Sequence, residues 1–78
     1  MAVKIYTTSA CPFCHMAKDF LKTNNIKFEE INLENNSKAV KEMIEKSGQT
    51  GVPVLDVNGT IIIGFDAERI KKALKLKS

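Results

Sequence analysis

Ser9-Ala10-Cys11-Pro12-Phe13-Cys14-His15 holds both cysteines, the only histidine and one of the two prolines of the chain. It follows an alternating run, Val3-Lys4-Ile5-Tyr6, and opens a run with helical spacing, Phe13, Ala17, Phe20 and Leu21. The pattern reads as a strand, a short turn and a helix that begins at Pro12. Proline suits the first helical position, because its ring presets φ and its missing N–H would find no partner there anyway. Cys11 then takes the N-cap. The first N–H groups of a helix are unpaired and carry partial positive charge, and this placement aims them at the Cys11 sulfur. The thiolate, not the thiol, is the nucleophile, and an ordinary cysteine, with a pKa of about 8.5, is little ionised at neutral pH. The N-cap position is expected to lower that value for Cys11. Cys14 lies one turn further in, within bonding reach and less exposed. The expectation is that Cys11 attacks a disulfide and Cys14 resolves the resulting mixed disulfide.

A structural staple accounts for the pair less well. Closing a four-residue loop removes only about 2 kcal/mol of chain entropy, against about 3 for a fifteen-residue loop.

Size and composition narrow the classes. Seventy-eight residues make one small domain, 1–78, and an apolar fraction of 44% supplies a modest core. The first apolar run is short and carries Lys4, so it does not read as a secretory signal. No run approaches the ~18 apolar residues of a membrane helix. A cytoplasmic monomer with no membrane partner is expected. In a reducing compartment a Cys-x-x-Cys pair points to redox or metal work. The net charge is +3, and the last ten residues hold four lysines and Arg69. That cluster reads as the solvated face of a terminal helix, where positive charge is favoured, rather than as a nucleic-acid patch.

In chain order, residues about 2–7 read as a strand and about 12–24 as a helix ended by Asn24-Asn25, with Phe13, Ala17, Phe20 and Leu21 as its buried stripe. Residues about 27–33 form a second strand. The apolar phase slips there between Phe28 and Ile31, which calls for a bulge or for burial on both faces. Asn36 or Ser37 caps a helix of about 37–47, with Val40, Met43 and Ile44 inward and Gly48 ending it. Thr50-Gly51-Val52-Pro53 leads into a strand with Val54, Leu55 and Val57. Asn58-Gly59 marks a two-residue hairpin, and Thr60 to Ile63 returns. Gly64-Phe65-Asp66 turns into a last helix with Ala67, Ile70 and Leu74 inward. The order β-α-β-α-β-β-α implies a mixed four-stranded α/β sheet, its first two strands parallel across a right-handed crossover, with flanking helices.

Three segments together resemble the thioredoxin fold, and specifically the glutaredoxin family: Ile5-Tyr6-Thr7 leading into Cys11-Pro12-Phe13-Cys14; Thr50-Gly51-Val52-Pro53; and Gly64-Phe65-Asp66. The resemblance covers essentially the whole chain. It implies a dithiol oxidoreductase, reducing protein disulfides or glutathione mixed disulfides, with no tightly bound cofactor and glutathione as co-substrate. It implies a cis bond before Pro53, which would leave the Val52 backbone open to pair with an incoming thiol peptide, as in strand addition. It also implies a substrate-binding groove of Tyr6, Thr50, Gly51, Val52, Pro53, Gly64, Phe65 and Asp66, with Pro12 and Phe13 on its rim. Thr8, Ile63-Gly64 and Ala67 depart from the glutathione-using pattern, and each change weakens anion or amine recognition. A sister group is similar too: short redoxins that take electrons from thioredoxin reductase and supply ribonucleotide reductase. Gly64-Phe65 and Arg69-Ile70-Lys71 resemble that group, while Ile62-Ile63 replace its usual Trp-Ser.

Two readings come from other classes. Cys11-Pro12-Phe13-Cys14-His15 also spells a c-type haem attachment sequence, against which stand the β-rich runs. A soft-metal carrier for copper or zinc also places Cys-x-x-Cys after a first strand. A closed zinc site needs four ligands, and this stretch offers three, Cys11, Cys14 and His15. Such carriers follow their second strand with a hairpin, whereas residues 37–47 have helical spacing.

Overall fold

Every side chain of the first strand but Lys4 is buried, and this makes it the centre of the sheet. In the computed structural model, which describes residues 3–75, β1 (Val3–Thr7) lies between β2 (Glu29–Asn32) and β3 (Val54–Val57), with β4 (Thr60–Ile63) outside β3. β1 runs parallel to β2, in register Tyr6 with Ile31, and antiparallel to β3, in register Tyr6 with Val54. β4 pairs antiparallel with β3, Val54 opposite Ile63. Three helices cover this mixed sheet: α1 (Pro12–Thr23), α2 (Ser37–Ser47) and α3 (Ala67–Leu74).

The alternation of β1 feeds two apolar clusters, one on each face. Val3 and Ile5 join Leu55, Val57 and Ile62 beneath Ala17 and Leu21 of α1 and Ile70 and Leu74 of α3. Tyr6 and Val54 join Leu33 beneath Ala39 and Met43 of α2. The phase slip in the second strand follows from this double burial. Phe28, just before β2, packs against the first cluster, and Ile31 packs against the second. The strand is shorter than expected.

Local chemistry ends the elements where the sequence indicates. Asn24 caps α1, its side-chain amide donating to the Phe20 carbonyl at 2.8 Å. Asn36, not Ser37, caps α2, accepting from the Ala39 N–H at 3.1 Å. Gly48 closes α2 at φ 73°, a conformation that a side chain disfavours. Asn58 and Gly59 both have positive φ, as a two-residue hairpin turn of this twist requires. Two stripe assignments are corrected. Phe13 is 58% exposed, because the buried face of α1 runs through Cys14, Ala17 and Leu21, one position on from it; Ile44 is 37% exposed, and Ala39, one turn before Met43, takes its inward place. Among the described residues no helix is long and apolar enough to cross a membrane.

Tyr6 is also corrected. Expected in the substrate groove, it has no exposed surface, since β1 is covered on both faces. Its hydroxyl donates to Glu42 Oε1 at 2.6 Å and accepts from Lys46 Nζ at 3.1 Å. Lys46 also holds Asp56 Oδ2 at 2.8 Å, so the group ties α2 to β1 and β3. Burial, and then the Glu42 bond, raise the Tyr6 phenol above its ordinary pKa. Burial would raise Asp56 too, but the Lys46 and Gly59 bonds and the nearby lysine charges outweigh it and hold the carboxyl low.

The core and the polar tie differ in scale. Leu55→Ala, at a fully buried site between two helices, should cost about 3 kcal/mol. Tyr6→Phe, which keeps the ring and removes one hydroxyl, should cost about 1 kcal/mol. Urea unfolding with unchanged m-values measures both; equal losses would contradict the placement of the Tyr6 hydroxyl at the rim of the core.

Candidate active site

At the end of β1 the chain must turn before α1 can begin, and Thr8-Ser9-Ala10 makes that turn. Ser9 donates its backbone N–H to Glu34 Oε1 at 2.9 Å, and Asn32 Nδ2 reaches Ser9 Oγ at 3.4 Å. The segment leaving β2 thus holds the segment leaving β1. The Ser9 bonds pull the Glu34 carboxyl below its ordinary pKa. The sequence reading missed Glu34 and Asn32, and nothing local in the sequence marks them, because their partner Ser9 is 25 and 23 residues away.

Cys11 is the N-cap of α1, in extended conformation at φ −104° and ψ 106°, and Pro12 is the first helical residue. The Cys11 sulfur accepts the Cys14 N–H at 3.2 Å, one of the four N–H groups that a helix start leaves without a partner. Both cysteines are free thiols. Their surroundings differ: Cys11 is half-buried at the surface, whereas Cys14 is fully buried. Burial, then a hydrogen bond with Cys11, push the Cys14 thiol up to about 11; the Thr8 backbone and the Lys18 charge oppose this and do not overcome it. Lys18 is itself held by Glu30 at 2.9 Å, and Glu30 also accepts from the Thr7 hydroxyl at 2.8 Å.

The second segment faces the first. Cys11 Sγ lies 3.8 Å from the Val52 carbonyl oxygen, toward which its S–H points as donor. The Val52–Pro53 bond is cis. Pro53 is buried, Val52 half-buried, and Val52 lies outside β3, so its main chain is not committed to the sheet ladder. Thr50 and Gly51 are exposed on the approach to Val52. The Gln49 carboxamide holds this loop from both sides, accepting from the Gly51 N–H at 2.6 Å and donating to the Gly51 carbonyl at 2.9 Å. The sequence reading missed Gln49 as well.

The third segment is tied to the second: Gly64 donates its N–H to the Pro53 carbonyl at 2.8 Å. Gly64 has φ 79°, with open space where a Cβ would stand. Phe65 turns inward, its ring edge-on to Phe20 with centroids 5.9 Å apart, and packs against the first cluster. Asp66 caps α3, accepting from the Arg69 N–H at 3.2 Å, with Arg69 Nε 3.6 Å from its other oxygen. Around Cys11 the helix presents Phe13 and Met16, both about half exposed, beside exposed Pro12 and His15. Among the described residues no group of three or more His, Cys, Asp or Glu could hold a metal ion.

Such a site offers one accessible sulfur and one enclosed sulfur a helical turn apart, beside a main-chain segment that the sheet ladder leaves unpaired. Known proteins with similar chains agree in kind. The glutaredoxin family model matches residues 3–62. A glutaredoxin-like 8.6 kDa protein in the rubredoxin operon of Clostridium pasteurianum, itself uncharacterized, is 41% identical over 73 residues, covering 94% of this chain and 97% of its own. The crystal structure of a glutaredoxin from Archaeoglobus fulgidus superposes with a TM-score of 0.88 at 30% identity, over 96% of this chain and 88% of that one. NrdH-redoxin from Escherichia coli, described as a glutaredoxin-like protein with a thioredoxin-like activity profile, gives 0.81 at 28% identity, over 92% and 93%. With 60 consecutive residues under the family model and the same sheet and helices as the solved relatives, the chain belongs to the glutaredoxin family.

Proposed function

We propose that the chain is a dithiol thiol-disulfide oxidoreductase that reduces protein disulfides or glutathione mixed disulfides, with Cys11 as nucleophile and Cys14 as resolving thiol. The observation that carries this reading is the unlike setting of the two sulfurs. Cys14 has no exposed surface and a pKa pushed up to about 11, so at neutral pH it is a neutral thiol that an incoming disulfide does not reach. Cys11 is the sulfur that a partner meets. Its thiolate attacks one sulfur of the substrate disulfide; a Cys11–partner S–S bond forms, the substrate S–S bond breaks, and the other half leaves as thiolate. Cys14 then gives up its proton to that thiolate or to water and attacks Cys11 Sγ, releasing the second half. The substrate gains two electrons, and Cys11 and Cys14 end as a disulfide.

The Val52 main chain, outside the sheet ladder, and the Gly64 turn, with Thr50 and Gly51 beside them, serve as the partner groove, and Pro12 and Phe13 as its apolar rim. Phe65 and Asp66 act from behind this surface, one packed on Phe20 and the other capping α3. The element after β2 is the helix α2, which speaks against the soft-metal carrier, and the four-stranded sheet speaks against an all-helical haem protein.

A second reading concerns the electron donor. Thr8 and Ala67 depart from the glutathione-using pattern. Together with the likeness to NrdH-redoxin, this favours a protein donor such as thioredoxin reductase, with ribonucleotide reductase as an acceptor.

Iodoacetamide at pH 7 should label Cys11 and leave Cys14 unmodified, as read by mass spectrometry of the digested protein. Equal labelling would reverse the assignment. The high Cys14 value also has a stability consequence. The folded chain keeps this proton to about pH 11, whereas an ordinary cysteine loses it at a lower pH, about 8.5. Folded protein therefore binds more protons across that window, and stability falls as pH rises through it. Cys14→Ala should remove that part of the alkaline loss, measured by urea unfolding at pH 8 and pH 10.5.

Cys11→Ser should abolish disulfide reduction, and Cys14→Ser should spare only the deglutathionylation steps that need one thiol. Turnover with reduced glutathione against turnover with NADPH and thioredoxin reductase decides the donor. Activity with neither, in a chain whose Cys11 is reactive, would overturn the oxidoreductase reading.

A further inference from the structure

We propose that Gln49 is a positioning residue for the site: its carboxamide braces the loop across Gly51 and so fixes the Val52 main chain opposite Cys11. The inference rests on the oxidoreductase reading above, in which Val52 meets the partner.

Both ends of the carboxamide are spent on one residue. Oε1 accepts the Gly51 N–H at 2.6 Å, and Nε2 donates to the Gly51 carbonyl at 2.9 Å. Nε2 also lies 3.4 Å from Ser47 Oγ, in the last residue of α2, and that hydroxyl is 2.7 Å from the Met43 carbonyl. The brace is therefore anchored to the end of a helix. Residues 49–53 lie outside any helix or strand, so their N–H and C=O groups have no ladder to satisfy them. A side chain supplies what the ladder does not.

Gly51 fits the same contact. Its φ is not in the left-handed region, so the backbone there does not need glycine. Space does: a Cβ on Gly51 would stand 2.7 Å from Gln49 Oε1. Glycine at 51 is what admits the Gln49 side chain. One residue on, the Val52 carbonyl sits 3.8 Å from Cys11 Sγ. The path from α2 to the reactive sulfur thus runs through Ser47, Gln49, Gly51 and Val52.

The test uses the whole chain, with dithiothreitol as reductant and a peptide disulfide as substrate. In Gln49→Ala the Gly51 amide should exchange with solvent at least tenfold faster by NMR, while thermal unfolding changes little. KM for the peptide disulfide should rise about three- to tenfold with kcat within twofold, the mark of lost binding-surface order rather than lost chemistry. Gly51→Ala should reproduce both effects, because it expels the Gln49 side chain. The double variant should be no worse than Gln49→Ala, since the new methyl then meets nothing. Additive effects of the two changes, or a KM rise with the Gly51 amide still protected, would overturn the proposal; the latter would mean that Gln49 touches the substrate itself. If the native chain reduces no disulfide, the functional reading falls, and the exchange and double-variant comparison at Gly51 still decide whether the brace exists.

Discussion

The bond from the Cys14 N–H to the Cys11 sulfur, 3.2 Å long, organises the site. A helix start must find acceptors for its first N–H groups, and here a thiol replaces the usual hydroxyl or carboxylate of an N-cap. That one substitution fixes the spacing of the pair. The N-cap side chain reaches the third residue of the helix, so a second cysteine at that position lies against the first. It also fixes their difference. An N-cap side chain projects beyond the helix at the surface, whereas position 14 begins the stripe continued by Ala17 and Leu21, all three fully buried.

The sheet explains why the rest of the site gathers at this end. β1 runs antiparallel to β3, so the residues leaving β1 lie beside those entering β3. β4 runs antiparallel to β3 and parallel to β1, so its exit returns to the same edge. β2 is parallel to β1 and exits there too. Four strands therefore deliver Ser9 and Cys11, Glu34, Val52-Pro53 and Gly64 to one edge. Loops at such an edge lack ladder partners, and each is held by a single bond or pair of bonds: Glu34 on Ser9, Gln49 on Gly51, Pro53 on Gly64. The scaffold sets where the loops start, and these bonds set where they stop.

Much of this was legible in the sequence because its causes are local. The cap and Pro12, the αL glycine at 48, the Asn58-Gly59 turn and the helical spacing of 37–47 each act within one or two turns of chain. The element order followed from them, and the resemblance to the family joined three distant segments into one site. What failed has non-local causes. The family resemblance implies Tyr6 in the groove, yet the helix α2, some forty residues on, buries it, with Lys46 on its hydroxyl. Phe13 is apolar and spaced for burial, but the face that packs carries Cys14, Ala17 and Leu21, and periodicity alone does not choose between two adjoining faces of a helix. Ile44 and Ala39 exchange roles for the same reason. Glu34 and Gln49 were missed because polar residues in loops carry no period at all.

On the dithiol reading, the contacts of Cys14 also order the two steps in time. In the free dithiol, burial and the Cys11 sulfur keep the Cys14 proton in place. Two adjacent thiolates would repel, so one negative charge at the site excludes the second. When Cys11 bonds to a partner, the contribution of Cys11 that raises Cys14 is gone. The Thr8 backbone and the Lys18 charge, which favour the Cys14 anion, remain. Ionisation of Cys14 therefore becomes easier in the mixed disulfide, the one state in which its thiolate has a bond to break. Lys18 is held by Glu30 at 2.9 Å, and Glu30 is itself tied to Thr7 at the end of β1.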